Sequence, residues 1–145
     1  MSDAPACPCG LPDPRHRPLP YAACCGRWIE GESPLAAPTP EALMRSRYTA
    51  FVLEKADYLL ATWHPSTRPA SIEFSPQTRW LGLVIRAARL TDEGRGEVEF
   101  VARYREGSGR AERLHERSRF VREADPVLGT ARWYYLDGEF PKECA

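Results

Sequence analysis

Lysine is nearly absent from this chain, and a net charge is absent altogether. The 145 residues carry 20 basic and 20 acidic side chains, and the only lysines are Lys55 and Lys142. Nucleic acids and anionic membranes attract strongly basic proteins, so a balanced charge does not favour either as a partner. The sequence therefore predicts no membrane contact and makes nucleic-acid binding a minor alternative.

Long apolar runs are also missing. No segment reaches the ~18–20 apolar residues that a membrane-spanning helix needs, and residues 1–10 lack the basic and apolar regions of a signal peptide. We therefore expect a cytoplasmic protein whose thiols stay reduced. No Ser-His-Asp spacing, phosphate-binding loop or catalytic metal set stands out. We propose no catalytic residue from the sequence, which favours a non-enzymatic protein without excluding an enzyme.

Cysteine is scarce, but four of the five cysteines lie within the first 25 residues. Cys7 and Cys9 are separated by one proline, and Cys24 and Cys25 are adjacent. Adjacent cysteines form only strained disulfides, whereas four thiolates can enclose a tetrahedral zinc ion. These four cysteines therefore predict a closed, structural Zn²⁺ site. An iron–sulfur centre, a metal-free cluster and replacement of one cysteine by His16 are the alternatives, and Cys144 is expected to be a free thiol.

The first forty residues are rich in proline, with nine prolines between Pro5 and Pro40. Proline removes a backbone donor and fixes φ, so this stretch cannot form a long helix or an inner strand. Metal binding would then supply the folding energy of this segment. We predict a zinc knuckle with a proline-rich linker over residues 1–36 and an α+β domain over residues 37–145.

Two helices are expected after the linker. Thr39 can cap a helix that starts at Pro40, and apolar residues then recur at helical spacing to about residue 54. Asp57 is expected to cap a second, shorter helix, which must end near His64 because Pro65 follows. We expect His64 to bond the terminal carbonyls of that helix.

Strand patterns dominate the rest of the chain. Turn residues separate four segments, at 80–90, 97–105, 111–122 and 131–137. Two helices followed by four antiparallel strands indicate an α+β fold in which the helices pack on one face of a meander.

Glu116 is the anomaly in the third strand, because it shares a face with the apolar Leu114 and Phe120. A buried carboxylate is costly unless it is paired, so we expect either an ion pair with Arg45 or Arg47, or a ligand-binding role. His115 on the opposite face is expected at the surface. The candidate pocket residues are Glu116, Ser118, Trp63, Trp80, Tyr104, Trp133 and Arg47.

These motifs resemble a known family. Cys7-Pro8-Cys9-Gly10, Tyr21 and Cys24-Cys25-Gly26 resemble the SEC-C motif, a small zinc element found at the C-terminus of the SecA translocation ATPase. The segments 40–51, 58–65, 80–83, 100–105 and 115–120 are similar to the YchJ family of uncharacterised bacterial proteins. The resemblance implies a nuclear transport factor 2 (NTF2)-like cone, in which helices cover a curved antiparallel sheet around a pocket. The loop Leu11–Pro20 is longer than is usual in that family.

Three functions follow as hypotheses. The resemblance implies a small zinc-binding adaptor or binding module that contacts a protein or ribosomal partner. The alternatives are a small-molecule pocket protein or enzyme that uses Glu116, and RNA contact through an arginine-rich sheet face. That face would comprise Arg103, Arg105, Arg117, Arg119 and Arg122. Cross-strand pairs with Glu97, Glu99, Glu106 and Glu123 are expected to neutralise it. The oligomeric state and the identity of any partner or ligand stay open.

Overall fold

A computed structural model describes residues 5–31, 34–127 and 129–141. A short 3₁₀ turn at Tyr21–Ala23 is followed by helices α1 (Gly26–Ile29), α2 (Pro40–Val52) and α3 (Ala56–Ala61). Four strands complete the chain: β1 (Thr78–Asp92), β2 (Arg95–Glu106), β3 (Ala111–Ala124) and β4 (Ala131–Glu139). The predicted α+β order of cysteine cluster, helices and antiparallel strands is confirmed.

Helix α2 begins as predicted, whereas α3 does not. The Oγ1 of Thr39 accepts a hydrogen bond of 3.1 Å from the backbone N–H of Ala42, and Pro40 occupies the first helical position. Helix α3 begins at Ala56, with Lys55 at the cap position and no side-chain cap. Asp57 therefore does not cap this helix. It lies in the first turn, where its negative charge still favours the helix dipole.

The strands form one antiparallel meander in the order β1-β2-β3-β4. The pairing of β1 with β2 shifts at three places, the first between Trp80 and Gly82. A further shift lies between Arg119 and Phe120 where β3 pairs with β4. Such bulges increase the local twist and bend of a sheet. The sheet is therefore curved, and its concave face is turned toward α2.

The main apolar core lies between α2 and this concave face. Leu43 is 1% exposed and Met44 7%, and they pack against β2 and β3, where Val98 is 0% and Phe120 1% exposed. A smaller cluster joins α2 to α3 through Ala50, Tyr58 and Leu59. Helix α2 thus carries most of the contacts between the helical layer and the sheet.

The N-terminal segment has almost no regular structure, as its prolines predict. Isolated bridges between Ala6 and Pro20 and between Pro12 and Pro18 fold it into a loose hairpin. Its four cysteines are nevertheless buried in the same core cluster as Leu43 and Phe120. The predicted boundary at residue 36 stays a prediction, because the two regions share this core. Within the described residues, no helix has the length and apolar character to cross a membrane.

Candidate functional site

Four cysteine sulfurs form the most compact cluster of metal-ligating atoms among the described residues. The Sγ atoms of Cys7, Cys9, Cys24 and Cys25 all lie within 4.8 Å of one another, and those of Cys9 and Cys24 are 3.6 Å apart. Four sulfurs bound tetrahedrally at about 2.3 Å from an ion lie roughly 3.8 Å apart. All four side chains are buried. The donor set and its spacing fit a closed tetrahedral metal site.

The backbone around this cluster explains the two glycines beside the cysteines. Gly10 follows Cys9 with a φ of +79°, a conformation that other residues rarely adopt. Gly26 follows Cys25, and a Cβ there would lie 2.8 Å from the backbone oxygen of Tyr21. Glycine at these positions therefore allows both ends of the cluster to turn tightly enough for the sulfurs to converge.

Helix α2 contacts the cluster through two side chains. The hydroxyl of Thr49 lies 3.6 Å from the Sγ of Cys7, and both groups are buried. The Nη1 of Arg45 donates to the backbone oxygen of Cys9 at 3.1 Å, while its Nε binds Glu41 at 2.9 Å. Such outer contacts orient metal ligands and tune their basicity. The sequence did not reveal that α2 supports the cysteines in this way.

The four thiols perturb one another. Hydrogen bonds from Cys24 and then Cys25 lower the pKa of Cys9 to about 7. The same network raises the pKa of Cys25, first through Cys24 and then through Cys7. A divalent cation bound here would displace the shared protons, as metal binding to thiolate sites generally does. His16 lies outside this group, in the exposed turn of the N-terminal hairpin, and it has a φ of +62°.

A second feature is a cavity of about 250 Å³ between α2 and the concave face of the sheet. Five of the predicted pocket residues line it, namely Glu116, Ser118, Trp63, Trp80 and Arg47. Tyr104 does not line it but contacts the ring of Trp80, with centroids 5.7 Å apart. Trp133 lines a different depression, beside Pro40 and Leu90. Tyr135, expected from the sequence as core or pocket lining, also lies in the wall, and further wall residues include Met44, Tyr48, Phe51, Phe100 and Leu114.

Glu116 lines the cavity, as the position of this residue on its strand predicts. Its Oε2 accepts hydrogen bonds from the Ser118 hydroxyl at 2.6 Å and from the Tyr135 hydroxyl at 3.2 Å. Burial, followed by the nearby charge of Glu116, raises the pKa of Tyr135, so its hydroxyl stays a donor. The expected ion pair with Arg45 or Arg47 is wrong. Among the described residues, neutral hydroxyl groups hold the Glu116 carboxylate instead.

Arg47 is a buried cation in the same wall, with 3% of its surface exposed. Its Nη1 donates to the backbone oxygen of Leu59 at 2.8 Å and to the Thr62 hydroxyl at 2.6 Å. The guanidinium carbon also lies 5.0 Å from the ring centroid of Trp63 and 4.6 Å from that of Tyr135. Burial lowers the pKa of Arg47 to about 10, which still leaves it charged at neutral pH.

Both histidines of interest form contacts that were not expected. The Nε2 of His64 lies 2.9 Å from Glu123, and its Nδ1 lies 2.7 Å from Ser66. The side chain of His64 therefore joins the segment after α3 to β3, and among its described contacts none is to a helix-end carbonyl. His115 is partly buried, and its Nε2 lies 2.8 Å from Glu99. Neither histidine lines the cavity.

The arginine-rich sheet face is partly neutralised by glutamates and aspartate. Arg89 binds Glu97 at 2.7 Å, Arg117 binds Glu99 at 3.3 Å, and Arg119 binds Asp137 at 2.6 Å. The other two glutamates expected to neutralise this face bind elsewhere, since Glu106 accepts from Thr78 and Glu123 contacts His64. Two of the five arginines that define this face, Arg117 and Arg119, thus form cross-strand ion pairs, and Arg89 on β1 forms a further pair beside them.

Comparison with known proteins gives a consistent picture. The model of the family described as "YchJ, middle NTF2-like domain" matches residues 39–138. A UPF0225 protein from Polaromonas naphthalenivorans is 55% identical over 139 residues, covering 92% of this chain and 96% of that protein. A second UPF0225 protein, from Bordetella parapertussis, is 52% identical and covers 95% of each chain.

Two solved structures share the fold. The crystal structure of a SEC-C motif containing protein from Psychrobacter arcticus has a TM-score of 0.76 and 30% identity, covering 97% of this chain and 85% of that one. The solution structure of a SEC-C motif containing protein from Rhodopseudomonas palustris has a TM-score of 0.73 and 33% identity. It covers 95% of this chain and 100% of that one.

Proposed function

Because the chain belongs to the YchJ family and carries its NTF2-like domain, we propose that it is a zinc-stabilised binding module. The observation that supports this proposal is the group of four buried cysteine sulfurs within 4.8 Å of one another. Among the first-row transition metals, thiolate sets of this kind select zinc, Cu(I) or iron–sulfur clusters. A single tetrahedral ion that uses all four sulfurs has no open position for substrate, so its role is structural.

The metal would fasten the N-terminal segment to α2. That segment has little regular secondary structure of its own, whereas the Cys7 sulfur lies beside Thr49 and the backbone of Cys9 is held by Arg45. Binding of one ion would therefore convert a proline-rich chain into part of the domain core. The folded domain would then act by binding other molecules.

Native mass spectrometry of protein purified without added metal tests the zinc site. We expect one zinc ion per wild-type chain and none in Cys24→Ser. Cys144→Ser is the matched control, because it removes the one cysteine outside the cluster and should keep the metal. A metal-free wild type, bound iron, or equal loss from both variants would contradict the proposal.

The finer proposal is an adaptor that contacts a protein or ribosomal partner. It is supported by the similarity to SEC-C motif proteins and by the exposed tip of the N-terminal hairpin, where Arg15, His16 and Arg17 face solvent. Co-sedimentation with purified ribosomes at fixed salt tests it. Arg15→Glu should reduce the bound fraction, while Arg79→Glu on β1 should not. Absence of co-sedimentation, or an equal effect of both variants, would argue against a ribosomal partner.

A second candidate function is binding of a small molecule in the cavity between α2 and the sheet, which contains Glu116. The observation that favours it is the enclosure of charged and aromatic side chains around open space. RNA contact through the sheet arginines has less support, since two of the five arginines, Arg117 and Arg119, pair with acids. If RNA binds there, affinity should fall steeply with added salt.

A further inference from the structure

The cavity combines apolar walls with one buried positive charge. We propose that it binds a small molecule made of an aromatic or branched hydrocarbon group and a single carboxylate. The carboxylate would be held by Arg47 and by the indole N–H of Trp63. This inference rests on the candidate ligand-binding function of the cavity and adds the chemical class of its ligand.

The walls favour a flat or compact hydrocarbon group. Tyr48, Phe51, Trp80 and Phe100 supply aromatic surfaces, and Leu114 supplies an aliphatic one. Aromatic rings recognise other rings by edge and offset contacts. The volume of about 250 Å³ lies just below the range of typical ligand pockets, so the ligand must be smaller than drug-sized molecules.

Arg47 supplies the charge that selects an anion. Among the described residues no carboxylate makes an ion pair with it, and its two hydrogen bonds to neutral oxygens both use Nη1. A guanidinium has five N–H donors, so Nε and Nη2 retain donors for a further acceptor. The nearby charge of Glu116 favours the charged form of Arg47 without forming an ion pair with it. A carboxylate hydrogen-bonded directly to the guanidinium would offset more of the cost of burying this cation.

Trp63 supplies a second donor. Its Nε1 is buried and has no hydrogen-bond partner among the described residues. Its ring lies 5.0 Å from the Arg47 guanidinium and belongs to the same cavity wall. A buried donor without an acceptor costs about 1–3 kcal/mol. The nitrogen is closed off in the unliganded cavity, so a small movement of the ring would be needed for a carboxylate bound at Arg47 to satisfy this donor as well.

Glu116 limits the ligand to one negative group. Its carboxylate lines the cavity, and its Oε2 is already bound by the hydroxyls of Ser118 and Tyr135. A second anionic group on the ligand would lie near this carboxylate and be repelled by it. We therefore expect the cavity to discriminate against dicarboxylates.

The decisive test compares acids with their uncharged amides on zinc-loaded, full-length wild-type protein. The probes are benzoate, phenylacetate, 3-phenylpropionate and 4-methylpentanoate, each paired with its amide, followed by the indole N–H resonances in NMR titrations. We expect at least one acid to shift the Trp63 resonance and to bind about tenfold or more tightly than its amide, since charge-assisted hydrogen bonds discriminate at this level. Phenylmalonate, a dicarboxylate, should bind more weakly than phenylacetate.

Variants identify the groups that hold the carboxylate. Trp63→Phe keeps an aromatic ring and removes the N–H, so it should weaken acid binding severalfold and leave amide binding nearly unchanged. Trp28→Phe is the matched control, because Trp28 lies on α1 outside the cavity. Arg47→Met should abolish the preference for the acid. The acid and amide comparison on wild type decides the question even if this variant does not fold.

The outcomes separate the two levels of the proposal. Equal binding of acid and amide, or equal loss in Trp63→Phe and Trp28→Phe, would overturn the carboxylate site and leave an apolar binding cavity. Failure of every acid and amide to bind below about 10 mM would overturn the small-molecule function together with this inference.

Discussion

The N-terminal segment and the helix–sheet domain reach the same core by different chemistry. In the domain, carbon side chains such as Leu43, Val98 and Phe120 fill the space between α2 and the sheet. In the N-terminal segment the buried groups are chiefly sulfur atoms, and Cys9 and Cys25 are 0% and 2% exposed. A short proline-rich chain cannot bury enough hydrocarbon to fold by itself. Metal coordination can replace that missing apolar surface.

The comparison also shows how closely the two regions are joined. Helix α2 turns Leu43 and Met44 toward the sheet, yet Thr49 on the same helix contacts Cys7. The ion pair between Glu30 and Lys55, at 3.4 Å, is a further contact beside the start of α3. A change confined to one region should therefore reach the other chiefly through α2. The following predictions separate stabilisation of the N-terminal segment by metal from stabilisation of the helix–sheet domain by packing.

Removal of the metal should have the largest effect. A chelator that strips Zn²⁺ should abolish amide hydrogen-exchange protection in residues 5–31, because structural zinc contributes about 10–16 kcal/mol of apparent binding free energy in small sites. Amides of β2 and β3 should stay protected. Loss of protection throughout the sheet would show that the domain also depends on the metal. Unchanged protection in residues 5–31 would contradict the claim that metal binding stabilises the N-terminal segment.

Arg132 tests the domain without touching the N-terminal segment. Its Nε binds Asp125 at 2.7 Å, and only 9% and 7% of the two side chains are exposed. Arg132→Met should destabilise the fold by about 3–5 kcal/mol in urea unfolding, because it removes the cation that balances a buried carboxylate. Arg119→Met is the control, since its pair with Asp137 is exposed and worth no more than ~1 kcal/mol. Equal losses would contradict this assignment.

A substitution at Gly138 tests the packing around Glu116, which lines the cavity. Gly138 pairs with Ser118 across the sheet, and an added Cβ would overlap the carboxylate of Glu116. Gly138→Ala should displace that carboxylate and cost about 1–3 kcal/mol of stability, as overpacking does. The zinc content measured by mass spectrometry should be unchanged. Loss of zinc in this variant would mean that a change in the sheet reaches the cysteine cluster, against the separation expected here.

Of these variants, one at Thr49 should have the smallest effect on stability. It tests most directly the contact between α2 and the cysteine cluster. Thr49→Val removes the hydroxyl beside the Cys7 sulfur and keeps the shape of the side chain. Zinc affinity, measured by competition with a chromogenic chelator, should fall about tenfold, which is typical for loss of an outer contact. Thr78→Val, which loses only an exposed bond to Glu106, should leave the affinity unchanged.

Much of the architecture was predictable from local chemistry. Thr39 and Pro40 mark the start of α2 because capping depends only on neighbouring residues, and the spacing of four cysteines identified the sulfur cluster. Asp57 misled because α3 is held by packing of Tyr58 and Leu59 against α2 and needs no side-chain cap. Local sequence does not record that kind of tertiary support.

The cavity was only partly predictable for a related reason. Glu116 was placed correctly on its strand face, but its partners Ser118 and Tyr135 could be chosen over Arg47 only once the strands were paired. The cavity residues on α2 could have been predicted from the sequence, because they recur at helical spacing on one face of the helix. They are Met44, Arg47, Tyr48 and Phe51. Trp133 lies on β4 opposite Arg122 and away from the cavity. Strand alternation predicts the face of a side chain but not its position along the sheet.

Five consecutive residues of α2, Ser46–Ala50, are all buried, and this fixes the rotation of the helix about its own axis. Successive residues in a helix point in different directions, so their polar groups must find partners on several sides. Ser46 meets Tyr58 on α3, Arg47 meets Thr62 just beyond α3, and Thr49 meets Cys7 in the N-terminal hairpin. A turn of about 100° in either direction would break all three contacts together. Polar bonds, more than an apolar stripe, thus hold this helix in a single rotational setting.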